Sequence, residues 1–144
     1  MSTKRIEYKG ALIAIIIRND FSKNGIEFFT PNDFSQQLAY MKRPKGYLIE
    51  PHLHNKVKRS VLLTQEVLFL KNGKVKVSFF NDNKIYICSE ILYAGDIILL
   101  ASGGHGLEIL EESEIIEVKQ GPYSGDKYKT RFKYSDKDIN DISK

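Results

Sequence analysis

The chain contains no tryptophan, one cysteine, two methionines, four prolines and three histidines in 144 residues. With Cys88 alone an internal disulfide is excluded, and its place in the apolar stretch IYICSEI suits a free thiol packed in or on a strand. No apolar run approaches the roughly 20 residues that a membrane-spanning helix requires; the longest near the N-terminus is ALIAIII, residues 11–17. Arg18, Asn19 and Asp20 follow it where a leader peptide would carry small residues, so the expected compartment is the cytoplasm, with no membrane partner. Charge of one sign is also missing. Lys and Arg total 22 against 18 Asp and Glu, and the basic residues are scattered without a DNA- or RNA-reading motif, which argues against a nucleic-acid partner. No internal repeat divides the chain, and its length suits one domain, 1–144.

What is present is short apolar segments separated by Gly, Asn and Asp. ALIAIII is β-branched without helical spacing and reads as a strand buried on both faces or lying in an interface. Asn24-Gly25 predicts a hairpin that pairs this strand with the one after it, Ile26–Phe29. Leu38 and Tyr40 alternate with polar neighbours, so a strand is expected over Gln37–Lys42, ended by Pro44. Asn72-Gly73 predicts a second hairpin, between VLLTQEVLFL and KVKVSFF. Asn81-Asp82-Asn83 and Ala94-Gly95-Asp96 predict turns around IYICSEIL and before IILLA. A further strand is expected in SEIIEVKQ, while Glu108, Glu111, Glu112 and Glu114 read as an exposed acidic loop. Strands at this spacing define an antiparallel all-β barrel or sandwich.

The chemistry-bearing stretch is Gly46–Gly73. A strand opening at Gly46 would carry His52 and His54 at i and i+2, on one face and able to grip one ion. Glu66 shares the parity of Leu68 and Leu70 and is expected to face inward, where an unpaired carboxylate would be costly. His105 lies among glycines in SGGHG, where backbone can approach a neighbour or adopt positive φ.

These spacings resemble the cupins, small jelly-roll barrels with two motifs around one metal. Gly46, five residues, His52-x-His54, then Glu66, six residues and Gly73 follow the first motif, although eleven residues separate His54 from Glu66 where the family has three or four. Gly95-Asp96 and Gly103 follow the second, with Ala101 in place of its Pro, His105 one residue early and Ile109 near its Asn. The resemblance covers about residues 34–120. TQEVLFLKNGKVKV, SGGHG and VKQGPY are similar to single-domain cupins of bacterial polysaccharide and nucleotide-sugar pathways.

The resemblance implies a single cupin-type barrel with a polar C-terminal extension, 121–144. It implies that His52, His54, Glu66 and His105 hold one divalent ion, whose identity the donors leave open among Zn, Fe, Mn and Ni. Open coordination positions would permit chemistry on a small molecule, a sugar or sugar derivative, with Glu66 also able to carry a proton. A metal- or sugar-binding module without turnover is the alternative. Tyr123, Lys127 and Arg131 are candidate substrate contacts, the cations suiting a phosphate. A homodimer is expected by analogy and because ALIAIII is too apolar for an exposed edge.

Overall fold

A computed structural model describes residues 2–134. The described chain has eight strands and no helix: β1 (Thr3–Tyr8), β2 (Ala11–Ile17), β3 (Gly25–Phe28), β4 (Ala39–Lys42), β5 (Glu66–Phe80), β6 (Tyr86–Tyr93), β7 (Ile97–Leu100) and β8 (Gly104–Lys119). All pairings are antiparallel. Six strands form one sheet that curls into a half-barrel, ordered β1-β2-β7-β5-β6 with β8 also on β5; β3 and β4 form a separate pair.

The long strand β5 organises this sheet. Along one edge it carries β7 at its start and β6 at its end, and along the other it carries β8 throughout. Glu66, Leu68 and Leu70 share one parity; after register shifts between Leu70 and Val75 the inward set continues as Val75, Val77 and Phe79. Leu68, Leu70, Val75, Val77 and Phe79 pack with Ile6, Ala14, Ile16, Leu92, Ile98 and Leu100 in the main core. Each such aliphatic side chain, once fully buried, contributes roughly 1.5–3 kcal/mol.

The β-branched run of β2 lies between β1 and β7, and Ile13–Ile17 are all buried, so both of its faces are covered. Its position inside the sheet removes the exposed-edge argument for a dimer. The turn from β1 is Lys9-Gly10, both at positive φ, which gives a two-residue hairpin the twist its strands need. The N-terminal strand β1 is thus a paired edge strand of the sheet.

Four expectations are corrected. Asn24-Gly25 does not join β2 to its successor, because β2 has both edges filled and Gly25 opens β3, which pairs with β4. Asn72-Gly73 is not a hairpin: β5 runs straight through it as a bulge, since β8 supplies a pairing partner on both sides of the glycine. The segment from Gly46 that bears the histidines is not a strand; residues 43–65 contain no ladder pairing, and most of their side chains are exposed. The acidic stretch 108–114 is also strand rather than loop. It belongs to β8, whose charged residues face solvent. The strand expected over Gln37–Lys42 is present in its second part as β4, and both predicted turns, at Asn81–Asn83 and Ala94–Asp96, are where expected.

Candidate functional site

Glu66 and His105 are far apart in the β5–β8 register. Glu66 faces Lys119 at one end of the ribbon, and His105 faces Phe79 at the other, thirteen β5 residues away. On a flat ribbon they would be about 40 Å apart at 3.3 Å per residue. Instead Glu66 Oε2 and His105 Nε2 lie 3.4 Å from each other. The register shifts between Leu70 and Val75 bend the ribbon, and β7 ends beside Glu66, so the short link 101–103 brings the start of β8 back to it. Gly103, at φ +71°, permits that link: a Cβ there would collide with the Phe80 carbonyl oxygen.

Glu66 is largely shielded, with a side-chain exposure of 13%, whereas His105 is an exposed residue whose side chain is 32% exposed. The imidazole of His105 holds the Glu66 carboxyl below the ordinary carboxylate range. Burial opposes this, and the charges of His105, Lys119 and Lys129 add to it. Next to the pair, amides fix the entry to β5. Gln65 N–H donates to Gln120 Oε1 at 2.7 Å, and Gln120 Nε2 donates to Ser35 Oγ at 3.0 Å. Gln65 is buried and its Nε2 reaches the Ala101 carbonyl at 3.4 Å. Neither glutamine stands out in the sequence, because an amide's role here depends on strands that meet only after folding.

Above the pair lies an open cleft of about 1020 Å³, bounded by the start of β8, the end of β5 and the segment 121–134. That segment is anchored by aromatic contacts: Phe132 and Tyr134 meet the Phe80 ring edge-on at 5.0 and 4.8 Å, and Tyr134 Oη hydrogen-bonds with Ser78 Oγ at 2.9 Å. Sequence reasoning missed this anchor, although RFKY, with aromatics at i and i+2, is the pattern that lays two rings on one face.

The cleft gathers several of the expected residues. Glu66, His105, Tyr123 and Arg131 line it, together with Lys119 and Lys129. Tyr123 is exposed, with Lys119 Nζ over its ring at 5.9 Å. Arg131 is engaged by Asp126, Nη2 donating to Oδ1 at 3.1 Å and Nε to Oδ2 at 3.3 Å. Lys127 lies outside the lining, over the Tyr128 ring at 5.4 Å.

His52 and His54 are exposed on the 43–65 segment. Their rings contact each other with centroids 5.2 Å apart, and His52 Nδ1 lies 2.9 Å from the Glu50 carbonyl oxygen. The i, i+2 spacing therefore keeps the two imidazoles together. Among the described residues, however, no three His, Cys, Asp or Glu side chains gather as an ion would need. One chain thus brings together two of the four expected donors.

No protein-family model, curated protein or solved structure matches this chain. Fold and site define an all-β protein with a carboxylate–imidazole pair at the floor of a cationic cleft. Among the described residues, no helix is long and apolar enough to cross a membrane.

Proposed function

We propose that this is a cupin-type jelly-roll protein acting on a small molecule, a sugar or sugar derivative, at the Glu66–His105 cleft, with a divalent metal as its cofactor. The observation that carries the reading is the 3.4 Å approach of a shielded carboxylate to an imidazole on the floor of an open cleft of about 1020 Å³. Such a volume is at the upper end of small-molecule sites, roughly 300–1,000 Å³. Lys119, Lys129 and Arg131 on its walls favour a substrate that carries a phosphate or carboxylate.

Carboxylate and imidazole together suit Zn, Fe, Mn or Ni. When bound, such an ion supplies Lewis-acid polarisation of a carbonyl or hydroxyl group. Two donors from one chain do not make a full coordination set, so within a single chain the fit is incomplete. A second reading draws on the same contact: a carboxylate that orients an imidazole is also the arrangement of a metal-free general base.

Metal analysis of protein purified without added metal, and again after dialysis against Zn²⁺ and Mn²⁺, separates the two. The metal reading expects close to one ion per chain in the wild type, lost in folded Glu66→Gln and His105→Ala variants. Fewer than about one chain in ten carrying metal after dialysis would overturn it and leave the general-base reading.

A further inference from the structure

The segment that follows β8 is fastened to the sheet at its two ends. Gln120, just before it, is fixed from two directions, its Oε1 accepting from Gln65 N–H at 2.7 Å and its Nε2 donating to Ser35 Oγ at 3.0 Å. At the far end Phe132 lies on Gly104, whose missing side chain makes the room: a Cβ there would stand 3.2 Å from the Phe132 ring. Tyr134 completes this anchor with its bond to Ser78 and a stack on Tyr86 at 6.4 Å.

Between the anchors the chain bridges without leaning on the body. Among the described residues, the hydrogen bonds of 121–131 are internal to it: Lys129 N–H donates to the Asp126 carbonyl at 3.1 Å, and Arg131 donates to the Asp126 carboxylate. Tyr123 and Tyr128 are 82% and 78% exposed, and a Cβ at Gly125 would meet nothing within 4 Å. A span with solvent-facing side chains and no backbone bonds to its surroundings moves at low free-energy cost, while its fastened ends limit where it can go.

Its direction is set by the cleft. Tyr123, Tyr128, Lys129 and Arg131 all line that space, and the charge of Lys129 is among those that lower the Glu66 carboxyl. The two tyrosines differ in what holds them. Lys119 of β8 sits over the Tyr123 ring at 5.9 Å and ties it to the sheet, whereas the cation over Tyr128, at 5.4 Å, is Lys127 of the span itself. Tyr128 therefore travels with the span. An exposed phenol ring has an apolar face to give to a ligand, such as the C–H face of a sugar, and with two side-chain torsions it loses little freedom in doing so.

We infer that the span Tyr123–Arg131 is a strap that closes over the Glu66–His105 cleft when ligand binds, pivoting on Gln120 and Phe132, and that Tyr128 is the specificity-determining residue it delivers. The Tyr128 ring covers the sugar while Lys129 meets its anionic group. Closure also supplies what an open cleft of about 1020 Å³ lacks, the exclusion of water from the carboxylate and imidazole on its floor. The strap rests on the reading of the cleft as a site for an anionic sugar, and it is independent of any metal there.

The chain has no tryptophan, so Tyr128→Trp carries its only indole and reports on the strap directly. Glucose 1-phosphate and glucuronate, each a hexose with one anionic group, are titrated in by calorimetry while emission and acrylamide quenching follow the indole. With a sugar bound, the emission is expected to shift to the blue and quenching to fall severalfold. Tyr128→Ala, at an exposed position, should release the same sugar roughly 3–10-fold faster. A sugar that binds while the indole stays as quenchable as in the free protein, or that leaves Tyr128→Ala at the wild-type rate, would overturn the strap and leave the sugar reading standing. If neither sugar binds, it is the sugar reading that loses its support, and hydrogen exchange then decides the strap by itself. Amides of 123–131 that exchange near open-chain rates while β8 stays protected support a free span between fixed ends; amides as protected as those of β8 overturn it.

Discussion

Gly73 on β5 and Ser113 on β8 meet with no room for a side-chain carbon between them: a Cβ at Gly73 would collide with Ser113 Oγ and with the Glu112 carbonyl oxygen. Gly73 also sits at φ +97°, where L side chains are strained. Ser113 Oγ accepts from Lys74 N–H at 3.1 Å and donates to the Glu111 carbonyl at 2.6 Å, which ties the bulge together from the other strand. The bulge bends the ribbon whose two ends bring Glu66 to His105.

Gly73→Ala is therefore expected to lower stability by roughly 1–3 kcal/mol from backbone strain, before any cost of the collision. It should also shift the His105 ring resonances, because straightening the bend moves β8 relative to Glu66. Urea unfolding and side-chain NMR check both. A variant with wild-type stability and an unmoved His105 would show that the bend does not position the site.

The turn between β6 and β7 rests on a buried carboxylate. Asp96 Oδ2 accepts from Arg18 Nη1 at 2.8 Å and from Tyr93 N–H at 2.9 Å, and Oδ1 accepts from Asn19 N–H at 2.9 Å. Arg18 also donates to the Ile91 carbonyl at 2.6 Å and to Glu90 at 3.2 Å, so one guanidinium ties the end of β2 to β6 and β7. Asp96 is 1% exposed. Asp96→Ala removes one of that guanidinium's acceptors and leaves two backbone donors without theirs, and a loss of about 2–5 kcal/mol is expected in denaturant titrations. A loss below about 1 kcal/mol would mean that water replaces the carboxylate.

Much of this was legible in residue patterns where local chemistry and tertiary partner agree. The β-branched 11–17 run needed burial on both faces and obtained it; Glu66 has the inward parity of Leu68 and Leu70. The turns at 81–83 and 94–96 have side chains that bind their own backbone, as Asn81 Oδ1 does for Asn83 and Ile85 N–H. Asn-Gly, by contrast, licenses positive φ without saying what uses it. At 72–73 it served a bulge and at 24–25 a strand start, because β8 and β7 had already claimed the neighbouring edges. The histidine segment has a strand's composition but no partner strand within the described chain, and no local signal reports that. The glutamates of β8 looked like a loop because an edge strand exposed on both faces can carry charge at either parity.

Cys88 offers a pH-dependent prediction away from the cleft. It pairs with Phe79 across β5–β6, which turns its thiol toward the core, and it is only partly exposed. Burial pushes the Cys88 thiol up, the Glu90 carboxylate adds to this, and Lys4 opposes it. A group whose folded pKa is raised contributes stability that is complete below its unfolded pKa and is lost as pH rises through the folded one. Stability should therefore decline on the alkaline side, and Cys88→Ala should make that decline shallower while leaving the neutral plateau flat. Alkylation by iodoacetamide supplies the direct measurement, read as the pH midpoint of the rate because access alone alters the rate but not its midpoint. The folded chain should show a midpoint above that of the urea-unfolded chain. Coincident midpoints would mean that the thiolate is as well solvated in β6 as in the open chain.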